Sequence, residues 1–428
     1  MNKKLFDFIA KSPTPFHAVR NVCETLKENG YTELCESAKW ELEPGKGYFV
    51  TRNGSSVISF RVPEGNFSGF MMTASHCDSP CFKIKENAEL SDKAYIRLST
   101  EKYGGMLCST WLDRPLAVAG RITLRTENGI SVRLVDTVKP CAIIPNVAIH
   151  MNRNANDGFS YNPAVDMIPL FAENGKNISF RELIAKTAGC DKKDILTTDL
   201  VVYNPQYGTE WNGFISAPRL DDLQCAFGAL EAFISAKKAK NLPVYCLFDN
   251  EEVGSQTKQG AASTFLTAVL ERISESLGLS VSEHYGKIAN SFLLSCDNAH
   301  AVHPNHPEYQ DRNHAVYMNK GIVIKYNANQ RYTSDAVSAA IFALVCEEAG
   351  VPFQRYANRA DIAGGSTLGN IANTQVSLNT VDIGLPQLAM HSSYETAGAE
   401  DTGFYVKALS LFYEKTLSME SDGEYKLG

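Results

Sequence analysis

Apolar residues in this chain repeat with two different periods, and the change of period divides it. Near the N-terminus, Val19, Val22 and Leu26 share one helical face between Thr14 (a candidate cap), Pro15 at the first helical position, and Gly30. Strand-like runs follow: GYFVT at 47–51, SVISFRV at 56–62 and GFMMTAS at 69–75. From about 87 to 213 short β-rich runs (AYIRLS, LAVAGRITLR, ISVRLVD, CAIIP) alternate with turn residues, and long helical patterns are few. Helical spacing returns after Ser216 in Leu220, Leu223, Phe227, Leu230 and Ile234. PVYCLFDN (243–250), NSFLLSCDN (290–298) and GIVIKYN (321–327) read as strands. A helix is predicted at about 260–277, and another, capped by Thr333, Ser334 or Asp335, runs to Gly350.

Strands separated by helices predict an α/β fold with a mostly parallel sheet covered on both faces. A chain of 428 residues holds roughly three domains at about 150 residues each, and two fit equally well. The change of texture favours one discontinuous α/β domain, residues 1–86 and 214–428, with a β-rich domain inserted at 87–213.

Composition narrows the function classes. Hydrophobic residues make up 44% and charged residues 21%, a globular balance. Lys plus Arg total 41 against 48 Asp plus Glu, for a net charge of −7, so no long-range attraction to nucleic acid or an anionic membrane is expected. No apolar run is long enough to span a membrane. The N-terminal stretch MNKKLFDFIA is short and carries Asp7, which argues against a secretory signal. The 11 cysteines include no C-x-x-C pair and read as small buried thiols in a reducing cytoplasm.

H-E-x-x-H, G-x-S-x-G and P-loop motifs are absent. Polar residues gather instead at the ends of apolar strands. GFMMTAS runs into His76 and Asp78, PVYCLFDN into Glu251 and Glu252, and NSFLLS ends near Asp297. Open α/β sheets bind ligands beyond the carboxyl ends of their strands, so three strands bring His, Glu and Asp to one edge. Asp221 and Asp222, at the start of a helix, and His391 in LAMHSSYE can join them. Mixed carboxylates and imidazoles suit zinc, manganese or cobalt. Each residue alone also has an ordinary reading, as a satisfied strand-end histidine or a solvated acidic cap. Their convergence on matching strand ends brings a two-metal site level with those ordinary readings.

Longer stretches carry a family resemblance. SPTPFHAV (12–19), SHCDSP (75–80), DRPLAVAGRI (113–122), NVAIHMNRNAN (146–156), PRLDDL (218–223), FDNEEVGSQT (248–257), SCDNAHAVHPNHPE (295–308), IKYNANQRYTSDAV (324–337) and QLAMHSSYE (387–395) occur in the order found in the M18 metallo-aminopeptidases. The chain resembles the aspartyl aminopeptidase group of that family over nearly its whole length. The resemblance implies a zinc-peptidase-type α/β domain interrupted by a β-rich oligomerisation domain. It implies two divalent metal ions per subunit, zinc first, with manganese or cobalt as alternatives. His76 and Asp297 would hold one ion, Glu252 and His391 the other, and Asp221 would bridge both. Many relatives have Asn where this chain has Asp222, which leaves open which aspartate bridges. Asp78 would accept the second ring N–H of His76, and Glu251 would be the general base.

The same resemblance implies substrate contacts: Lys325 for an acidic first side chain, His300 near the reacting carbonyl, and His150 reaching a neighbouring subunit. Its partners would be peptides with free N-termini and further copies of itself in a tetrahedral dodecamer. Arg359 or Asp361, in NRADIAGGSTLG, can retune the pocket, and Cys77 and Cys296 beside ligands suggest sensitivity to oxidation. The expected function is a cytoplasmic two-metal aminopeptidase preferring Asp or Glu. The alternatives are a neutral or broad preference, a related carboxypeptidase or deacylase, and a non-catalytic assembly protein on this fold.

Overall fold

The computed structural model describes residues 1–236 and 238–428. Helix α1 (Asn2–Ala10) buries the Leu5, Phe6, Phe8 and Ile9 stripe, and α2 (Pro15–Glu28) follows with Pro15 in its first turn. Thr14 precedes α2, but its hydroxyl bonds the His17 ring at 2.8 Å and makes no bond to the helix backbone. The expected cap is therefore positional only.

The described residues build a nine-stranded sheet from β1 (Thr32–Leu34), β2 (Gly47–Arg52), β3 (Ser56–Arg61), β4 (Phe70–His76), β5 (Leu242–Phe248), β6 (Phe292–Cys296), β7 (Ile322–Tyr326), β8 (Phe353–Ala357) and β9 (Asn379–Gly384). Their order is β1-β2-β3-β5-β4-β6-β9-β7-β8. The central run β5-β4-β6-β9 is parallel throughout. All seven residues of β4 and of β5 are buried, which explains why no charged residue stands in either strand before His76: a strand covered on both faces has no solvent side to alternate.

Helix α3 (Leu220–Ser235) packs on one face of this sheet against α6 (Asp401–Glu414), where Phe233, Tyr245 and Tyr413 meet within 6.0 Å between ring centroids. Helix α4 (Phe265–Ser276) packs into the core of the other face. Helix α5 (Ala336–Ala349) starts at an Asp335 capping box and stops at Gly350, whose φ of +59° is left-handed. The α4 pattern was expected to begin near 260, but residues 254–264 form turns. The Thr257 hydroxyl accepts from the Gly260 amide, and Gln259 donates to the Asn250 side chain. Those bonds draw the backbone away from helix.

A second sheet of six antiparallel strands comes from residues 81–203, with its own buried cluster around Phe82, Trp111 and Ile184. A third sheet joins residues 209–217, 299–300, 386–388 and 395–398 along the carboxyl edge of the first. No two of the 11 cysteines are bonded, and Cys77, Cys225, Cys246, Cys296 and Cys346 are buried. No helix among the described residues is long and apolar enough to cross a membrane.

Gly384 ends β9 where a Cβ would clash with the carbonyl oxygen of Asp297. Gly384→Ala should destabilise the protein by roughly 1–3 kcal/mol, as overpacking does, and should weaken uptake of divalent ions. Thermal midpoints measured with and without zinc check both effects.

Candidate metal centre

The four parallel strands end side by side, so their carboxyl ends deliver residues to one place. Strand β4 ends in His76, paired with Phe248 of β5, and β5 turns through Asn250 (φ +67°) into Glu251 and Glu252. Strand β6 runs into Asp297, whose amide donates to the Ile383 carbonyl of β9. The chain leaving β9 reaches His391, whose own φ is +66°. Asp221 and Asp222 open α3 in non-helical torsions, joined by a cis peptide, and the regular helix begins after them.

Asp221 lies at the centre. Its Oδ1 is 3.4 Å from His76 Nε2, and its Oδ2 is 3.4 Å from His391 Nε2. Asp297 Oδ1 stands 3.8 Å from His76 Nε2, and Glu252 Oε2 3.3 Å from His391 Nε2. Ligand atoms of His76, Asp221 and Glu252 fall within 4.8 Å of one another, as do those of His76, Asp222 and Asp297. Asp222 is also spent on structure, since its Oδ2 accepts the His76 amide at 3.1 Å. Asp221 Oδ1, Asp222 Oδ1 and Glu252 Oε1 are buried without a hydrogen-bond partner. Buried carboxylate oxygens of that kind are costly unless a cation meets them. The donor set of imidazoles and carboxylates therefore fits divalent ions of the zinc type.

A ring of polar side chains holds these candidate ligands by their backbones. The carboxylate of Asp78 accepts the amides of Glu251 and Glu252, both at 3.1 Å, and the Tyr103 hydroxyl at 2.7 Å. For His76 Nδ1 the nearer acceptor is the Asp78 backbone carbonyl at 3.1 Å, with the carboxylate at 3.4 Å. Asp78 thus orients the ring chiefly through its main chain and uses its side chain on the glutamates. Glu395 accepts the amide of Asp221 at 3.0 Å and that of His391 at 2.7 Å. Ser79 donates to the Asp221 carbonyl at 3.0 Å.

Electrostatics follow from this crowding. Burial alone would lower both histidines. The facing carboxylates reverse that, raising His76 well above the ordinary value and pushing His391 up to about 11. Burial raises Asp221 too, but the two imidazoles win and hold it below the usual aspartate range. Burial pushes Glu252 up to about 7, with His391 opposing and Asp221 adding. Glu251 is raised well above its ordinary value by burial, against the pull of His76 and with the charges of Asp297, Glu252 and Asp78 adding. Among the described residues its carboxylate makes no hydrogen bond, which leaves it free to exchange a proton.

The other expected site residues lie further out. Lys325 is 2% exposed. Its ammonium donates to the carbonyls of Asp297 at 2.9 Å and Asn298 at 3.3 Å, 3.7 Å from Asp297 Oδ2. What it meets in this structure is the turn carrying a candidate ligand. The His300 ring is exposed, with its centroid 6.5 Å from that of Tyr356. His150 is exposed on a loop of the 81–203 unit and is not brought to this centre within one chain. Arg359 and Asp361 pair with each other at 2.7 Å, and Cys77 and Cys296 are buried beside His76 and Asp297.

Sequence reasoning missed Glu395, Tyr103 and the structural use of Asp222. For Glu395 a signal existed, a carboxylate four residues after His391, but nothing in the spacing says what it holds.

Residues 8–413 match the model of the aminopeptidase I zinc metalloprotease (M18) family. The chain is 45% identical over 423 residues to the probable M18 family aminopeptidase 2 of Clostridium acetobutylicum, covering 96% of this chain and 98% of that protein. Among solved structures it is similar to a chain of the Ape4 and Nbr1 complex, with a TM-score of 0.93 and 35% identity over 96% of this chain and 85% of that one. It is also similar to the S. cerevisiae mApe1 dodecamer chain, with a TM-score of 0.84 and 28% identity over 96% of each.

His76 and His391 hold protons up to raised pKa values because carboxylates face them. A cation taking the same place has to displace those protons at any pH below those values. Zinc binding to chelator-treated protein should therefore release protons. Its affinity should weaken as pH falls, by roughly tenfold per pH unit for each proton displaced. Calorimetry in buffers of different ionisation enthalpy, at about pH 6 and about pH 8, counts the protons; a count of zero would contradict this account.

Proposed function

The chain belongs to the M18 family of zinc metalloproteases, and from that premise we propose that it is a two-metal aminopeptidase releasing N-terminal residues, Asp and Glu first, from peptides. One observation carries the two-metal reading: Asp221 offers a separate carboxylate oxygen to each of two histidines, with Asp297 beside one and Glu252 beside the other. His76 and Asp297 would hold one ion, Glu252 and His391 the other, and Asp221 both. That gives three protein ligands per ion, as catalytic sites have.

Divalent ions bound there would supply polarisation of the scissile carbonyl, acidification of a water and a hold on the free α-amino group. The protein supplies the rest. Glu251 would take the proton of the attacking water and return one to the leaving amine. Its pKa is raised, first by burial, so it holds a proton more strongly than an ordinary glutamate does. Asp78 holds the Glu251 amide, so the base is fixed by its backbone while its carboxylate stays free. His300, after the Asp297 turn, would steady the reacting carbonyl. A requirement for a free α-amino group separates this reading from a related carboxypeptidase or deacylase, which would accept amino-blocked peptides. An unpaired Glu251 carboxylate beside a full ligand set counts against a non-catalytic assembly protein.

A second reading of specificity, neutral or broad, is favoured by the enclosure of Lys325, whose ammonium already serves the Asp297 and Asn298 carbonyls. Assembly into a homododecamer, as in the S. cerevisiae relative, is part of the proposal, with residues 87–213 as an inserted oligomerisation domain. The exposure of Val147, Ile149 and Met151 around His150 supports a contact loop through which His150 would reach a neighbour's site. A cytoplasmic setting would keep the thiols reduced.

Glu251→Gln should keep its metal, measured by elemental analysis, and lose turnover by roughly 10²–10⁴-fold; unchanged turnover would remove Glu251 as the base. On free-amino dipeptides beginning with Asp, Glu or Leu, Lys325→Ala should lower kcat/KM for the acidic substrates far more than for Leu. Equal losses on all three would establish the broad reading and make Lys325 a support for Asp297.

A further inference from the structure

Glu395 opens the 395–398 strand, in register with Ala217 of the strand that leads into α3. It is 2% exposed, and its two oxygens are spent separately. Oε2 accepts the amide of Asp221 and Oε1 that of His391. Both recipients sit where the backbone needs holding. His391 is a non-glycine residue at φ +66°, a left-handed region that L-residues rarely adopt. Asp221 lies before the first regular turn of α3, after Arg219 at φ +56°, so no helical hydrogen bond fixes its orientation. One carboxylate thus sets the spacing between the residue facing both histidines and the histidine on one side only. Asp78 does the matching work for Glu251 and Glu252, and Asp222 for His76. Nothing equivalent from Glu395 reaches His76 or Asp297.

We propose that Glu395 is a positioning residue for the cation held by Glu252 and His391, fixing the distance between His391 and Asp221 through their two amides. This rests on the two-metal reading above. Glutamine at 395 keeps the shape but replaces one acceptor oxygen by an NH₂ group that meets an amide donor, so one of the two backbones is released.

Wild type, Glu395→Gln, His391→Ala and the double variant are stripped, reloaded with zinc alone, and dialysed against graded chelator. Zinc per subunit is read by elemental analysis, with circular dichroism as a check on folding. Wild type should retain two ions. Glu395→Gln should hold one ion at least tenfold more weakly and the other unchanged, and should add little to the loss already present in His391→Ala. A wild type that takes up fewer than two ions would overturn the two-metal reading together with this proposal. Two ions in wild type, both weakened alike in Glu395→Gln or weakened further in the double variant, would overturn the role of Glu395 alone. If glutamine prevents folding, Glu395→Asp is put through the same titration. Equal weakening of both ions in that variant is likewise the overturning result.

Discussion

The structure depends on how it tolerates carboxylates packed together out of water. Asp78, Asp221, Asp222, Asp297 and Glu395 are all buried around two imidazoles. Unpaired ionised groups in such a place would each cost several kcal/mol. Backbone amides meet most of the cost at Asp78, Asp222 and Glu395, because an N–H donor stabilises a carboxylate without adding a mobile charge. Asp221, Asp222 and Glu252 each also keep one oxygen that no donor reaches. Carboxylate oxygens that hold backbone amides and carboxylate oxygens without a donor therefore share one site, and Asp222 carries one of each.

The frame reflects the sheet. Four adjacent parallel strands end at one level, and each hands its next residues to the same edge. This is why two histidines more than 300 residues apart in sequence, His76 and His391, lie on either side of one aspartate. Gly384 shows how close the fit is, since β9 and the Asp297 turn approach until only a hydrogen atom fits between them.

Much of this was legible in the sequence, and the reasons are specific. Strands β4, β5 and β6 are covered on both faces, so they appear as largely apolar runs, and the charged or imidazole residues at their ends stand out. The carboxyl-edge rule then brings His76, Glu252 and Asp297 together. What the sequence left open was long-range or local in geometry. Asp221 and Asp222 are equivalent in any pattern, and only the non-helical start of α3 turns one toward both histidines and the other toward the His76 amide. Tyr103 and Glu395 act over 25 and 174 positions, with nothing periodic to mark them. Lys325 interrupts an apolar strand, IVIKY, and reads as a substrate contact through resemblance, whereas burial commits it first to backbone carbonyls.

The Tyr103 hydroxyl comes from the six-stranded sheet, yet it ends on Asp78, and Gly104 beside it lies close against Glu252. The second sheet is thus tied into the edge that carries the candidate metal centre. A shortened chain with that sheet looped out would not be a minimal enzyme. It would leave a buried acid short of a donor and open a solvent path beside the glutamates. A distortion imposed on the outer sheet thus has a direct mechanical route, through Tyr103 and Asp78, to the backbone of Glu251 and Glu252.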